Sequence, residues 1–354
     1  MSLFDTMTEL GHEQLVICNE PAAGYKGIIA IHNTTLGPAL GGTRFWNYAS
    51  DDEAIIDALR LARGMTYKAA VAGLNLGGGK SVIIGDPRTE KSEALLRAMG
   101  RFVDSLDGGY IVAEDSGTSV ADMKVIAAET VHVAGVSDKP ALGGGTRSGD
   151  PSPSTAYGVF VGLKAAVRHR LGRYDLDGVR VAIQGTGSVG THLARLLHGA
   201  GARLYLADLR AERARALAEE LGARAVDGDA VFDLDVDVFA PCALGAVLND
   251  ETVPRLRAAV VAGAANNQLD AGRHGEALRE RGILYAPDYV INAGGLIDVA
   301  YERSGIARDG DRLRRHIDGI AGTLMEIFVQ ADAEGLPTGV VADRLARHRL
   351  QRRH

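Results

Sequence analysis

The chain has 354 residues, of which 46% are hydrophobic and 24% charged, and its formal net charge is −6. At about 100–200 residues per domain, this length favours two domains of ordinary globular composition. The net acidity gives no electrostatic support for nucleic-acid binding, so we expect no nucleic-acid partner. The basic stretch 344–353 is interpreted as the solvated face of a last helix rather than a binding tail.

Cysteine usage and the N-terminal sequence favour a cytoplasmic protein. Cys18 and Cys242 are far apart and form no CxxC pattern, so neither a disulfide framework nor a zinc site is indicated. No His, Cys and carboxylate cluster has ligand spacing, and we expect no metal. The first residues lack a signal-peptide pattern, and no stretch reaches the roughly 18 apolar residues that span a bilayer. We therefore expect no membrane association.

The first third of the chain alternates strand-like and helix-like segments. A capping box at Ser50 and Glu53 marks the start of one helix, because the cap hydroxyl and the Glu carboxylate satisfy free amides. In chain order, the apolar periodicity predicts a strand at 27–32, a helix at 52–68, a strand at 81–85, a helix at 93–106 and a strand at 110–113.

A Gly-, Pro- and Ser-rich stretch, 139–153, is interpreted as the hinge between two domains. A second alternating series follows it and predicts a parallel sheet with crossover helices. Its members are a helix at 154–169 and strands at 179–184, 203–208, 236–240 and 260–262, with helices between the strands. Beyond Pro287 the pattern is helical to the end.

The motif GxGxxG follows a predicted strand and opens a predicted helix, which is the context that a dinucleotide site requires. Its glycines permit a tight turn and close approach of a pyrophosphate, and the helix N-terminus attracts the negative charge. Asp208 ends the next strand, where an acid binds a ribose 2′-hydroxyl and repels a 2′-phosphate, so we predict NAD. Arg210 could soften that preference but is interpreted as a solvated helix residue, and a purely structural glycine turn is the alternative. The motif residues are Gly185, Thr186, Gly187, Ser188, Val189 and Gly190.

The stretch 72–81 looks at first like a phosphate-binding loop, but the glycine that the motif needs stands at Gly73 instead of 74. We therefore favour another role for Lys80, which follows three glycines. A lysine in a desolvated cleft beside a second cation, here Lys68, has a lowered pKa and can act as general base toward water. Asp115, at the end of strand 110–113, is expected in the same cleft, where it can exchange protons with an amine. An ordinary surface lysine is the alternative, and spacing alone does not decide between the two.

Long stretches of the chain resemble the leucine, valine and phenylalanine dehydrogenase branch of the glutamate dehydrogenase superfamily. Two of them, AEDSGT and GDPSPSTAYG, look most like leucine dehydrogenases. The matching stretches are TTLGPALGGTRFW (34–46), DALRLARGMTYKAAVAGLNLGGGKSVIIGDP (57–87), AEDSGT (113–118), GDPSPSTAYGV (149–159), FAPCALGA (239–246), VAGAANNQL (261–269) and GILYAPDYVINAGGLI (282–297).

The resemblance implies roles for individual residues. Lys68 holds the substrate carboxylate, Lys80 activates the water that attacks an imine, and Asp115 moves protons to and from the substrate nitrogen. Asn292 contacts substrate from the nucleotide domain. Gly41, Gly42 and Met65 also bind substrate, Leu40, Ala113, Val290 and Ile291 form the pocket wall, and Ala240, Pro241, Cys242 and Asn266 lie on the nicotinamide side.

The resemblance also implies a two-domain α/β fold and an oligomer. We expect an α/β substrate-binding and oligomerisation domain at 1–140, a Rossmann-type doubly wound NAD-binding domain at 141–330, and a C-terminal helix at 331–354 that packs toward the first domain. Relatives of this type form homo-oligomers, octamers in leucine dehydrogenases and dimers elsewhere.

The implied reaction is reversible, NAD-dependent oxidative deamination of an L-amino acid. No charge lies in the expected pocket wall, so a glutamate side chain would lack a cationic partner. Ala113 narrows the pocket, which favours leucine, valine and isoleucine over an aromatic substrate. Two alternatives stay open: the same reaction on phenylalanine or tryptophan, and a non-catalytic NAD-binding protein. One departure is Ser116, where many relatives have valine; its hydroxyl either bonds the Asp115 carboxylate or caps the next helix.

Overall fold

The computed structural model describes residues 2–137, 139–140, 146–147, 149–243, 245–303 and 310–351. The chain forms two compact units. The first unit contains Met1–Asp150, Val299–Gly310 and Ala346–His354, and the second contains Pro151–Asp298 and Asp311–Leu345. The stretch 139–153, interpreted above as a hinge, lies partly outside the described residues. The division at 140 and 330 expected from the sequence stays an expectation about domains.

The first unit is built on a five-stranded sheet with the order β1-β2-β4-β3-β5. Strands β1, β2 and β4 are antiparallel neighbours, whereas β3 runs parallel to both β4 and β5. The elements are α1 (Leu3–Leu10), β1 (Gln14–Glu20), β2 (Tyr25–Asn33), β3 (Ala39–Trp46), α2 (Asp51–Val71), β4 (Gly77–Ile84), α3 (Glu93–Asp104), β5 (Tyr110–Glu114), α4 (Val120–Ile126) and the two-residue strands β6 (Lys139–Pro140) and β7 (Thr146–Arg147).

Helices cover both faces of this sheet. Successive strand residues point to opposite sides, and the apolar ones pack against helices on each face. Ile28, Ala30 and Val82 pack with α2 on one face. Ile29 and Ile83 lie on the other face, in a cluster with residues of α3 and α4. The face that α2 covers also carries the candidate site described below.

Helix α2 begins as the sequence predicts. The Ser50 hydroxyl accepts a hydrogen bond from the Glu53 amide, and the Glu53 carboxylate accepts one from the Ala49 amide, one residue before the expected partner. The helix extends to Val71, past the predicted end at 68.

The glycines before Lys80 belong to strand β4 and not to a loop, so the predicted start of this strand at 81 is wrong. A Cβ on Gly78 would lie 2.0 Å from the Thr66 backbone nitrogen of α2, and one on Gly79 would lie 2.8 Å from the Tyr110 ring. Gly78 is therefore needed for the close approach of the helix to the strand, and Gly79 for that of the tyrosine ring.

The second unit contains a six-stranded parallel sheet with the order β10-β9-β8-β11-β12-β13. The chain leaves the central strand β8 first to one side and then to the other, which is the doubly wound topology with a switch point between β8 and β11. The Rossmann-type fold predicted from the sequence is confirmed. The elements from α5 onward are α5 (Ser152–Leu171), β8 (Arg180–Gln184), α6 (Ser188–Gly199), β9 (Arg203–Ala207), α7 (Ala211–Leu221), β10 (Arg224–Ala225), β11 (Val238–Pro241), β12 (Val260–Val261), α8 (Arg273–Glu280), β13 (Leu284–Tyr285), α9 (Asp288–Ile291), α10 (Gly294–Arg303), α11 (Gly310–Glu334) and α12 (Thr338–Gln351). The last residues of α10 and of α12 are counted with the first unit.

Within the described ranges, none of the helices combines the length and the apolar composition that crossing a bilayer requires. Nor do those residues contain a group of three or more His, Cys, Asp or Glu side chains arranged to hold a metal ion.

Candidate active site

Lys80 and Asp115 form a close ion pair in the first unit. The Lys80 Nζ donates a hydrogen bond of 2.7 Å to the Asp115 Oδ2, and the lysine is only 5% exposed. Lys80 lies in β4, and Asp115 directly follows β5. Strand β3 runs between these two strands, and the register places Gly42 beside Ala113 of β5. Parallel pairing with β3 thus brings together two residues that are distant in the sequence.

Gly41 and Gly42 leave room for this pair. A Cβ on Gly42 would lie 2.8 Å from the Asp115 Cβ and 3.3 Å from the Lys80 Nζ. A Cβ on Gly41 would lie 1.8 Å from the Gly79 carbonyl oxygen, inside the sheet. The two positions therefore require glycine for different reasons. Gly41 permits close strand pairing, and Gly42 keeps the space around the ion pair free of a side chain.

Arg44 is a member of this site that the sequence did not reveal. Its Nε donates to the same Asp115 Oδ2 at 3.2 Å, and its Nη1 donates to the Asp57 Oδ2 at 2.9 Å. Arg44 follows Gly42 by two residues in β3, so both point to the same face of the sheet. Had β3 been predicted, that spacing would have been the signal.

The Asp115 carboxyl is ionised because its cationic neighbours outweigh its burial. Removal from water raises its pKa, whereas the positive charges of Lys80 and Arg44, with a hydrogen bond from the Ser116 backbone amide, lower it; the net result is a pKa of about 2. Asp115 is thus a carboxylate over the whole range in which amines titrate. It is therefore a hydrogen-bond acceptor for an ammonium group beside it.

Ser116 contributes its backbone amide to the Asp115 carboxylate, and any residue other than proline would supply the same donor. The alternative that Ser116 caps the next helix is wrong, because the N-cap of α4 is Ser119, whose hydroxyl accepts from the Asp122 amide.

A buried hydroxyl network fixes the three strands that carry the pair. The Thr43 and Ser81 hydroxyls are 2.6 Å apart, Ser81 lies 3.0 Å from the Tyr110 hydroxyl, and Tyr110 donates to the Gly41 carbonyl at 2.7 Å. These side chains link β3, β4 and β5. Their contacts hold the register that places Gly42, Lys80 and Asp115 together.

Other residues expected to bind substrate lie in the same unit. Lys68 and Met65 are partly exposed residues of α2, the helix that covers the Lys80 face. Leu40 and Ala113 are buried in β3 and β5 and share that face with Gly42, since they lie two residues before it and directly across from it. Their roles toward a substrate stay predictions.

The glycine turn of the second unit has the shape of a diphosphate cradle. Gly185 follows β8 with φ of +100°, and a Cβ there would lie 2.9 Å from the backbone after β11. A Cβ on Gly190 would lie 2.0 Å from the Gly185 carbonyl oxygen, so the helix approaches the strand closely. Gly187 forms the N-cap of α6, which has no side-chain cap, and a Cβ there would meet nothing within 4 Å. Open space in front of uncapped helix amides fits a dinucleotide phosphate.

Asp208 directly follows β9 and points toward the glycine turn. Its Oδ2 accepts hydrogen bonds from the Thr186 amide at 2.7 Å and hydroxyl at 3.0 Å, and its Oδ1 accepts from the Arg210 amide at 2.9 Å. Partial burial opposes ionisation, but these hydrogen bonds lower the pKa of Asp208. The Arg210 side chain is exposed, at the N-cap of α7. The result is a fixed carboxylate where an adenosine ribose is expected.

The residues expected on the nicotinamide side lie near the same turn. The chain continues from Ala240 and Pro241 of β11 into Cys242, whose amide donates to the Gln184 carbonyl at 2.7 Å. The surrounding protein atoms remove the Cys242 thiol from water and so raise its pKa to about 12, and the thiol stays protonated at neutral pH. The Ser188 and Val189 positions form the first turn of α6.

Asn292 and Asn266 are joined by a hydrogen bond of 2.8 Å from the Asn292 Nδ2, which also donates to the Ala264 carbonyl. The Asn292 Oδ1 is buried and has no hydrogen-bond partner among the described residues. Val290 and Ile291 are buried in α9, and Ile291 packs against Gly162 of α5. Their expected place in a pocket wall stays a prediction.

Two family models match this chain. Residues 12–132 match a model described as the dimerisation domain of Glu/Leu/Phe/Val dehydrogenases. Residues 144–208 and 203–309 match a model described as Glutamate/Leucine/Phenylalanine/Valine dehydrogenase. Together these matches span most of the chain.

Curated relatives are similar over nearly the full length. A leucine dehydrogenase from Thermoactinomyces intermedius is 54% identical over 99% of this chain and 94% of the relative. A valine dehydrogenase from Streptomyces albus is 50% identical over 96% of this chain and 92% of the relative. An L-tryptophan dehydrogenase from Nostoc punctiforme is 47% identical over 99% and 96%.

Solved structures share the fold. The crystal structure of L-tryptophan dehydrogenase from Nostoc punctiforme has a TM-score of 0.84 and 45% identity, covering 99% of both chains. A hetero-hexameric glutamate dehydrogenase from Thermus thermophilus has a TM-score of 0.80 at 23% identity, covering 99% of this chain and 91% of that one, which shows the fold alone.

Proposed function

The chain belongs to the Glu/Leu/Phe/Val dehydrogenase family of amino-acid dehydrogenases, and on this premise we propose that it is an NAD-dependent leucine dehydrogenase that also accepts valine and isoleucine. The reaction is reversible: amino acid, NAD⁺ and water give 2-oxo acid, ammonium, NADH and a proton. The observation that carries the proposal is the Lys80–Asp115 pair beside Gly42.

The pair has the two functions that deamination needs. Asp115 takes a proton from the substrate ammonium, which frees the nitrogen lone pair. Bound NAD supplies the acceptor for the Cα hydride. Lys80 then takes a proton from the water that adds to the imine carbon, and Asp115 returns a proton to the departing nitrogen. Lys68, on the neighbouring helix, binds the substrate carboxylate in this proposal.

The apolar residues beside the Lys80–Asp115 pair support a branched-chain substrate. Leu40 and Ala113, on the same sheet face as Gly42, offer no charge, so a glutamate carboxylate would lose its hydration without gaining a partner. The 54% identity with a leucine dehydrogenase supports the same class.

A second candidate is the same reaction on an aromatic amino acid. It is favoured by the 47% identity to an L-tryptophan dehydrogenase over nearly the whole chain. The Ala113 methyl group, which takes up space in the expected pocket, argues against it.

NAD, rather than NADP, is proposed as the cofactor because Asp208 is a fixed carboxylate that would repel a 2′-phosphate.

We also propose a homo-oligomer, since residues 12–132 match a dimerisation-domain model. Analytical ultracentrifugation would separate dimer from octamer. A cytoplasmic location is proposed from the sparse, widely spaced cysteines.

A substrate panel tests the proposal. NADH formation is followed by absorbance at alkaline pH with leucine, valine, isoleucine, phenylalanine, tryptophan and glutamate. The proposal expects the highest kcat/KM with a branched-chain substrate. Equal or higher kcat/KM with phenylalanine or tryptophan would contradict it in favour of the second candidate. Absence of turnover with every amino acid, despite NAD binding, would favour a non-catalytic protein.

A further inference from the structure

Asp115 shares one oxygen between two cations of different chemistry. Its Oδ2 accepts from the Lys80 Nζ at 2.7 Å and from the Arg44 Nε at 3.2 Å. The Lys80 side chain is 7% exposed, the Asp115 side chain 22% and the Arg44 side chain 25%, so water screens this triad only in part. A residue that contacts the proton-exchanging carboxylate this closely affects its charge and its orientation.

The two cations differ in whether they can lose a proton. A lysine can become neutral, whereas the guanidinium of arginine stays charged at every accessible pH. In the proposed deamination, on which this inference rests, Lys80 has to be neutral before it can take a proton from water. At that moment Asp115 loses the charge of its nearer partner, and Arg44 is the remaining cation bonded to the same oxygen.

We propose that Arg44 is a positioning residue that keeps Asp115 ionised and oriented in the active form of the enzyme, in which Lys80 is already neutral and Asp115 has not yet taken the substrate proton. It acts through Asp115. The fixed charge of Arg44 also disfavours the protonated form of the Lys80–Asp115 pair as a whole, and such a pair titrates as one coupled system.

Arg44 is itself held in place by a second carboxylate. Its Nη1 donates to the Asp57 Oδ2 at 2.9 Å, and the Tyr48 hydroxyl donates to the same oxygen at 2.7 Å. Asp57 lies on α2, so the helix that covers the Lys80 face also fixes the guanidinium. The planar guanidinium of Arg44 is thus hydrogen-bonded to both Asp57 and Asp115, and these two contacts fix its orientation toward the Asp115 carboxylate.

The charged and titratable groups named here lie on β3, β4, β5 and α2 and in the loop between β3 and α2. Lys80 of β4 and Arg44 of β3 favour its charge, while Asp57 of α2 contributes a negative charge farther away. Tyr48 and Tyr110 stay neutral because burial raises the pKa of each phenol. Arg44 is therefore the one described neighbour hydrogen-bonded to the Asp115 carboxylate whose positive charge does not depend on pH.

The test is the pH dependence of kcat/KM for leucine in the full-length enzyme. Arg44→Gln and Arg44→Met remove the charge, and Met keeps an unbranched apolar stem. In both variants the midpoint of the acid limb is expected to move to higher pH by about one unit, because the coupled Lys80–Asp115 pair, which has to lose a proton before turnover, holds that proton more tightly without the neighbouring positive charge. Arg44→Lys keeps the charge and is expected to restore most of the wild-type midpoint.

Two further variants make the result specific. Tyr48→Phe removes a hydrogen bond to Asp57 but no charge, and its midpoint is expected to match the wild type. Asp57→Asn removes a negative charge near Arg44 and is expected to move the midpoint to lower pH; this variant tests the proposal even if the Arg44 variants fail to fold.

Equal losses of kcat/KM at every pH in the Arg44 variants, with an unmoved midpoint, would overturn the proposal. An unmoved or raised midpoint in Asp57→Asn would do the same. If the wild-type protein turns over no amino acid, the proposed function has failed, whereas an active wild type with unmoved midpoints refutes only the role of Arg44.

Discussion

The Lys80 Nζ lies 2.7 Å from the Asp115 Oδ2, although the two residues stand 35 positions apart in the sequence. Strand β3 runs between the strands that carry them, and its Gly42 leaves the space in which they meet. The residues proposed as the base and the proton-exchanging carboxylate thus lie side by side on the sheet face that α2 covers.

Gly42→Ala is expected to lower kcat/KM for leucine strongly while the protein stays folded. The new methyl group would lie 2.7 Å from the Glu114 carbonyl oxygen and 2.8 Å from the Asp115 Cβ, so Asp115 must move. A loss of about 10²-fold is expected, as for other small displacements of catalytic groups. Steady-state kinetics and circular dichroism of the same preparation check it.

Gly64→Ala is the matched control. Gly64 is exposed in α2, and a Cβ there meets nothing within 4 Å. The change is expected to stabilise the protein by about 0.5–1 kcal/mol through helix propensity and to leave kcat/KM unchanged. If Gly42→Ala is as active as Gly64→Ala, the space beside the ion pair is not needed.

Asp208→Ala is expected to reduce discrimination against NADP. The carboxylate, fixed by the Thr186 amide and hydroxyl, would no longer bond a ribose hydroxyl or repel a 2′-phosphate. The ratio of kcat/KM for NAD to that for NADP should fall by about tenfold or more, since hydrogen bonds to charged groups contribute roughly 1.5–3 kcal/mol. Arg210→Ala, at an exposed side chain, should leave the ratio nearly unchanged. An unchanged ratio in Asp208→Ala would refute the role given to this acid.

The buried His32 is expected to make the first unit less stable in mild acid. Burial, followed by repulsion from His12, lowers its pKa from 6.5 to about 4, while its ring bonds the Thr66 hydroxyl and the Leu10 carbonyl. Between these two values the unfolded chain binds a proton that the folded chain does not, so stability falls as pH drops from 6.5 to 4. Below pH 4 the loss levels off, at on the order of 3 kcal/mol.

Urea unfolding followed by the fluorescence of Trp46, the single tryptophan, measures this effect in the first unit. His32→Gln should unfold at lower urea than the wild type near neutral pH and show a smaller change between pH 6.5 and 4. His348→Gln, at an exposed position of the same unit, should follow the wild-type pH dependence. A pH dependence in His32→Gln as steep as that of the wild type would show that His32 is not its source.

The sequence predicted the second unit well because its signals are local. A strand, a glycine turn, a helix and an acid after the next strand define the doubly wound sheet, and each lies within about 20 residues of the last. The proximity of Lys80 and Asp115 was also expected, since both were placed in one cleft. The sequence pattern, however, predicts only that a glycine turn is present. The hydrogen bonds by which Thr186 holds the Asp208 carboxylate are seen only in the structure.

The first unit was harder to predict because its glycines suggest a loop. Gly77–Gly79 lie in a central strand, where Thr66 and Tyr110 approach too closely for side chains, and Gly41 and Gly42 concealed strand β3 in the same way. Arg44 was missed because its partner Asp115 lies 71 residues away and no local spacing connects them. From the sequence, both Lys68 and Asp115 are expected beside Lys80; the structure shows the contact with Asp115, and that with Lys68 stays a prediction.

The most direct test of the central claim compares the wild type with Lys80→Ala for leucine turnover and NAD affinity. The account predicts that the variant loses oxidative deamination by at least about 10²-fold, the lower end of general-base effects, while its Kd for NAD, measured by calorimetry, stays within about threefold of the wild type. Retained deamination would contradict the assignment of Lys80 as the base, and a large loss of NAD affinity would place Lys80 in cofactor binding instead.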